Sequence, residues 1–287
     1  MSPTPASTPC PAPTAPANVL SIAGTDPTGG AGIQADLKTF GALGAYGMAV
    51  VTAVVAQNTQ AVRMVSPLAP ELVQAQLEAV FEDVAVAAVK IGMVANAGIA
   101  EAIAEVLARH RPPFVVFDPV MAASTHKRLM NESDLARIRT VLLPQVSLLT
   151  PNLKEAARLL GIAQPVDEAD MRACLPALQA LGVPNVLLKG GHLADDAPES
   201  TDLLATPEGV IRLSAPRIAT RHGHGTGCTL SSAIAALWPQ HGLEKATRMA
   251  KDYVHGALLH ADALQVGHGR GPLHHFWQAV HLPGQLA

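Results

Sequence analysis

With 287 residues, 49% hydrophobic and only 3% aromatic, the chain can fill a large core, but one built from Ala, Val, Leu and Ile. A net charge of −3 gives no electrostatic footprint for nucleic acid, and no run reaches the roughly 18 uncharged apolar residues of a membrane span. Cys10, Cys174 and Cys228 are too widely spaced for a disulfide framework or a zinc site and fit a reducing compartment, so a cytoplasmic protein is expected.

Residues 1–17, MSPTPASTPCPAPTAPA, have no basic start and no apolar centre; they read as a disordered tail ahead of one domain over 18–287. From Val19 onward, short apolar runs alternate with helical spacing. VLSIAG (19–24) precedes a helix over 32–44, and MAVVTAVVAQ (48–57) precedes one over 71–83. AVAAVKIG (85–92) leads to a helix over 97–110, and FVVFDPV (114–120) to one near 133–143. VSLLTPN (146–152), KEAARLLG (154–161) and NVLLKGG (185–191) continue the series. Runs that are apolar throughout and separated by helices predict a mostly parallel sheet covered on both faces. Two short runs around Pro207-Glu208-Gly209 predict a hairpin, hence an antiparallel edge, and helices over 228–238 and 244–264 close the chain.

A sheet of this kind binds ligands at the carboxyl ends of its strands. The residues there are Gly24-Thr25-Asp26, Gln57-Asn58, Gly92-Met93, Asp118-Pro119, Thr150-Pro151-Asn152 and the stretch from Lys189 to His192. GTDPTGGAGIQAD (24–36) is either a tight strand-to-helix turn or a loop whose amides approach a ligand; it matches neither GxGxxG nor GxxxxGK[ST]. Asp26 and Asp36 read as solvated carboxylates near a helix start. In GHGTGC (223–228), Gly225 and Gly227 can take positive φ, so that the amides of 225–228 converge on an anion. Cys228 is either a small buried side chain or a proton acceptor, its pKa lowered by the helix start and raised again by any phosphate beside it.

Asn152 and Glu155, three apart in TPNLKE, suit magnesium-bound water and equally suit a capping box. Lys189 is either a phosphate partner or a lysine snorkelling at a strand end. Gln57 and Met93 fit the reading of a heterocycle, or a loop amide and plain core. His222, His224, His268, His274 and His275 form no zinc pattern with the cysteines, and 267–277 reads as a packed terminal segment.

Taken in order, AGTDPTGGAGIQADLKTFGALGAYG, VVAQNTQAV, VKIGM, DPVM, LLTPNLKEAARLLG, LLKGGH, HGTGCTLSSAIAAL and VGHGRGPLHHF resemble the hydroxymethylpyrimidine/phosphomethylpyrimidine kinases of thiamine biosynthesis, in the ribokinase-like superfamily. The resemblance runs from Val19 to Trp277. It implies a three-layer α/β/α fold and ATP-dependent phosphorylation of 4-amino-5-hydroxymethyl-2-methylpyrimidine, first to the monophosphate and then to the diphosphate, in one site. By motif, Gly24, Asp36, Gln57, Met93 and Val120 line the pyrimidine pocket, while Asn152, Lys189 and Thr226 face ATP. Asp118 and Glu155 help place magnesium through water. Gly225, Thr226, Gly227 and Cys228 form the anion hole, and Cys228 stands where many relatives carry an aspartate base. A homodimer is that family's habit.

One segment departs from the pattern. The family often continues DPVM with AKSG; here AASTHKRL (122–129) puts Ser124 in place of the lysine, with Lys127 and Arg128 nearby as substitutes. The nearest rival is a pyridoxal kinase of the same superfamily, and AQNTQ beside KIGM favours the pyrimidine. A non-catalytic pyrimidine sensor is the remoter rival, opposed by the intact Asn152, Glu155, Lys189 and Gly-Thr-Gly-Cys.

Overall fold

Strands of Val, Ile, Leu and Ala bury both faces only if helices cover each side, and the computed structural model has that arrangement over the residues it describes, 15–121, 131–191, 193 and 197–278. The chain begins with β1 (Asn18–Ala23), α1 (Gly32–Ala42) and β2 (Tyr46–Val51), followed by β3 (Ala53–Gln57) and β4 (Val62–Pro67). Next come α2 (Pro70–Phe81), β5 (Ala88–Ile91), α3 (Ala97–His110), β6 (Val115–Phe117) and α4 (Glu132–Val141). β7 (Leu148–Leu149), α5 (Leu153–Leu160), α6 (Glu168–Gln179) and β8 (Asn185–Lys189) follow. β9 (Glu199–Thr206), β10 (Gly209–Pro216) and α7 (Thr226–Leu259) complete the series.

Eight strands form one sheet in the order β10-β9-β8-β7-β6-β5-β1-β2. The pairs from β2 to β8 are parallel, and β9 and β10 add the antiparallel edge. Alternation along each strand decides which layer a side chain meets. Leu20, Ile22, Val89 and Ile91 join the core beneath α2 to α6, whereas Val19, Ala88, Val116 and Leu187 join the core beneath α1 and α7. Ser21 and Lys90 fall on the α1/α7 side by the same alternation. The small residues Ala233, Ala236, Ala250 and Ala257 let α7 lie close to the sheet, which is how a core with so few aromatics closes.

Five differences from the sequence expectations stand out. The run 48–57 is two strands, because Thr52 turns inward and its hydroxyl donates to the Met93 carbonyl at 2.6 Å. β3 then leaves the main sheet and pairs antiparallel with β4, which the spacing does not announce. Helix α6, with Pro176 inside it, is likewise unannounced. The two closing helices run as one element broken at Gly242 (φ 70°, ψ 176°). Ala17, counted with the tail, already accepts from the Tyr46 amide at 2.9 Å. Residues 1–14, Ser124, Lys127, Arg128 and His192 lie outside the described residues. None of the described helices is long and apolar enough to cross a membrane.

Candidate active site

A cavity of about 440 Å³ opens at the carboxyl ends of β1, β5, β6, β7 and β8. Part of its lining is apolar with a single amide: Gly24, Val55, Gln57, Val62, Met93 and Val120. Gln57 and Val55 come from β3, and β3 is tied to the loop after β1 by Val55 N–H donating to Thr25 Oγ1 at 2.9 Å. The lining also carries the polar and charged group Asp118, Asn152, Glu155 and Lys189. A second cavity of about 460 Å³ adjoins it, with Ile218, Leu230, Val254 and Leu258 as apolar walls. Asn152, Lys189, Gly223, Thr226, Gly227 and Arg270 border both.

The glycine-rich loop after β1 is organised from within by Asp26, which is fully buried and not solvated. Its carboxylate accepts from Thr28 N and Oγ1 at 3.0 and 2.7 Å, from Gly30 N at 3.1 Å and from Ala31 N at 2.8 Å. His224 Nε2 lies 2.8 Å from Asp26 Oδ2, joining this loop to the one before α7. Burial opposes the charge of Asp26, but the bonds from His224 and Thr28 outweigh it and hold the carboxyl well below the usual range.

Asp36 needs a different correction. The resemblance places it in the pyrimidine pocket, yet it is fully buried beneath the wall and does not border the cavity. Lys90 Nζ donates to both of its oxygens at 2.8 Å, Ser21 Oγ donates at 2.6 Å and Ser232 Oγ at 2.7 Å. Lys90 is the member of this cluster that backs the cavity wall, with its side chain 0% exposed. Burial opposes its charge, but the Asp36 carboxylate prevails and the ammonium stays protonated.

The first turn of α7 borders the first cavity through 225–228 and the second through Thr226 and Gly227. Gly225 caps it in the left-handed region (φ 84°), and a Cβ there would stand 1.8 Å from the Gly30 carbonyl oxygen, so only glycine fits. Gly227 has no positive φ, and a Cβ there would crowd Asp118 Oδ2 at 3.1 Å and Lys189 Nζ at 3.3 Å. The leading amides of a helix have no intrahelical acceptor, which leaves those of 225–228 for an anion. Thr226 borders both cavities, although its hydroxyl donates to the Gly223 carbonyl at 2.9 Å. Cys228 lines the cavity, but the expected lowering of its pKa is reversed. Burial pushes the thiol up to about 11, against the pull of Lys90 and of a hydrogen bond from the Gly32 amide.

Within the charged group, Lys189 Nζ donates to Asp118 Oδ1 at 2.7 Å. Asn152 and Glu155 form the capping box of α5: Glu155 N–H donates to Asn152 Oδ1 at 2.9 Å, and Asn152 N–H to Glu155 Oε2 at 2.8 Å. Both also border the cavity, so the capping and ligand-facing readings coexist in the same residues. Burial pushes Glu155 up to about 7; Asp118 adds to this and Lys189 opposes it. Asp118 and Glu155 place carboxylate oxygens side by side on this wall, the hard donors that magnesium takes directly or through water, so the residues fit that ion.

Three neighbours escape the motif reading. Lys90 hides inside an apolar strand, Arg270 comes from the terminal segment, and His224 acts through Asp26. Of the remaining histidines, His222 lies 3.2 Å from Asp262 and His275 lies 3.1 Å from the Thr229 hydroxyl, burial taking His275 down to about 4.

The pattern of the phosphomethylpyrimidine kinase family matches residues 26–274. The hydroxymethylpyrimidine/phosphomethylpyrimidine kinase of Escherichia coli (strain K12) is 53% identical over 260 residues, covering 90% of this chain and 97% of that protein. The solved pyridoxal kinase from Staphylococcus aureus in complex with ADP superposes with a TM-score of 0.85 at 31% identity, over 93% of this chain and 96% of that one. A phosphomethylpyrimidine kinase from Clostridium difficile 630 gives 0.73 at 39% identity, over 84% and 99%. Backbone likeness therefore spans both kinds of kinase, while identity is higher on the pyrimidine side. The chain belongs to the phosphomethylpyrimidine kinase family.

Proposed function

We propose that the two cavities are the acceptor and donor halves of one phosphoryl-transfer site. The chain is a hydroxymethylpyrimidine/phosphomethylpyrimidine kinase of thiamine biosynthesis, and ATP is its donor. The observation that carries the site assignment is the helix start at 225–228: residues bordering both cavities surround it, and its amides lack acceptors of their own.

In this reading the pyrimidine lies against Met93, Val120 and Gly24, and the Gln57 amide supplies its polar contact. ATP rests its base on the apolar wall of the second cavity and its phosphates by Asn152, Lys189 and Thr226. Asp118 and Glu155 would hold magnesium, which when bound neutralises polyphosphate charge. Gly225 to Cys228 stabilise the transferring phosphoryl group, and Lys189 adds its positive charge. Cys228 as thiolate takes the hydroxymethyl proton; because burial keeps it mostly a thiol, the active fraction is small and grows with pH. Asp36 acts from beneath, holding Lys90. A homodimer and cytoplasmic residence go with this reading, and sedimentation tests the first.

ADP release with ATP and magnesium, run separately on the hydroxymethylpyrimidine, its monophosphate and pyridoxal, tests the reading. Turnover on both pyrimidines with weak pyridoxal activity supports it; turnover on pyridoxal alone moves the protein to the vitamin B6 side. Cys228→Ala should lower turnover on the alcohol by about 10²–10⁴-fold. It should spare the monophosphate more, since a phosphomonoester with a second pKa of about 6 needs no base at neutral pH. In the native enzyme, turnover on the alcohol should rise with pH toward about 11, and that rise should vanish in the variant. Near-normal turnover of the variant on the alcohol would reduce Cys228 to packing.

A further inference from the structure

Of the residues that border both cavities, Lys189 and Arg270 are the cations, and Lys189 already shares its charge with Asp118. The Arg270 guanidinium has no hydrogen bond or ion pair among the described residues. It lies against Gly223, where a Cβ would meet Nη2 at 2.6 Å and Nε at 3.3 Å. Its backbone is fixed on two sides. Arg270 N–H donates to the Thr59 carbonyl at 3.0 Å, Gly269 N–H to Thr59 Oγ1 at 3.1 Å, and His224 N–H to the Gly271 carbonyl at 3.0 Å. An anchored stem with an unpartnered, exposed head at a shared cavity mouth is the geometry of an anion clamp.

The two phosphorylations differ in charge. The first brings a neutral alcohol to ATP; the second brings a phosphomonoester of nearly two negative charges beside the same triphosphate. The amides of 225–228 form one cradle, and two phosphoryl groups must then be held close together. The donor cavity has cations of its own: Lys251 pairs with Asp202 at 2.7 Å, and Arg217 is held by the carbonyls of Gly191 and Ala197 at 2.9 Å. Arg270 instead hangs from the turn between β3 and β4, beside the acceptor end where Gln57 stands.

We propose that Arg270 binds the phosphate of the acceptor in the second step and so favours the phosphomonoester over the alcohol. This rests on the two-step reading above. In the step it supports, a phosphate oxygen of the acceptor forms the new bond to the γ-phosphorus as the bond to ADP breaks, and ADP leaves with the electron pair. The planar fork of Arg holds two oxygens at once, which a lysine does not.

The experiment is a pair of steady-state assays, alcohol against monophosphate, on the native enzyme and on Arg270→Ala, Arg270→Lys and Lys154→Ala. Lys154 is a further unpartnered cation on the acceptor cavity wall. In Arg270→Ala the ratio of kcat/KM for the monophosphate to that for the alcohol should fall about tenfold or more, mainly through the monophosphate KM. Arg270→Lys should recover part of that loss. An unchanged ratio overturns the proposal, as does a rise in the ATP KM equal for both acceptors, or a tenfold fall confined to Lys154→Ala. A native enzyme that phosphorylates the alcohol and not the monophosphate removes the two-step premise and the proposal with it; native turnover of both with an unchanged ratio in Arg270→Ala sinks the Arg270 role alone.

Discussion

Two lysines stand at the carboxyl ends of parallel strands, each paired with an aspartate, and burial gives the pairs opposite character. Lys90 and Asp36 are sealed, with side chains 0% exposed, and Ser21 and Ser232 complete the shell around the carboxylate. Lys189 and Asp118 are 14% and 3% exposed; Lys189 borders both cavities and Asp118 the first, and around this carboxylate one hydroxyl, that of Thr150 at 3.4 Å, stands in place of two. The chemistry is the same. In the first pair every strong partner is inside the protein, so the charges fix the packing of α1 and α7 on the sheet; in the second, capacity is left for a ligand. A buried ion pair is therefore a poor sign of a site unless one side of it stays open.

The largest test of this contrast is Lys90→Met. It leaves the Asp36 charge sealed without a counterion, which costs about 3–5 kcal/mol of stability, measured by denaturant unfolding; replacing Asp36 with Leu as well should recover part of the loss. Lys189→Met should do the reverse, with turnover falling about 10²–10³-fold and the unfolding midpoint moving less than for Lys90→Met. If both variants lose stability alike and keep comparable turnover, the distinction between sealed and open pairs fails. Asp26 sharpens the comparison with a third buried carboxylate, paired with a histidine. Its folded pKa lies below the ordinary 3.8, so the stability it contributes at neutral pH should drain away as pH falls below about 4 toward that depressed value. Asp26→Asn should cost about 1–3 kcal/mol at pH 7 and flatten the acid limb of stability against pH.

The alternation of strand and helix was readable because apolar runs and helical spacing are local signals, and Ala97–His110 matches residue for residue. So was the position of the cavity, since polar residues after each run mark the strand ends that line it. Burial was not readable. Asp26 and Asp36 look like solvated carboxylates until residues from far along the chain, His224, Lys90 and Ser232, come to meet them. The Cys228 pKa fails for the same reason: a helix start is local, but desolvation comes from everything packed around it. The split at Thr52 also escaped notice, because Val and Ala continue unchanged on both sides of a residue whose partner is Met93. Arg270 stayed hidden because its role depends on meeting Thr59 and Gly223 across most of the chain.

The contact between the segment around Gly271 and the loop before α7 bears on the order in which the chain is made. All ten strands among the described residues precede Arg217, while the phosphate loop, α7 and the Arg270 segment come after it. A nascent chain that had emerged only that far would contain every one of those strands and the cavity-lining residues Gly24, Gln57, Met93 and Val120, but not the helix start at 225–228. Architecture comes from the first three quarters of translation, and chemistry waits for the last.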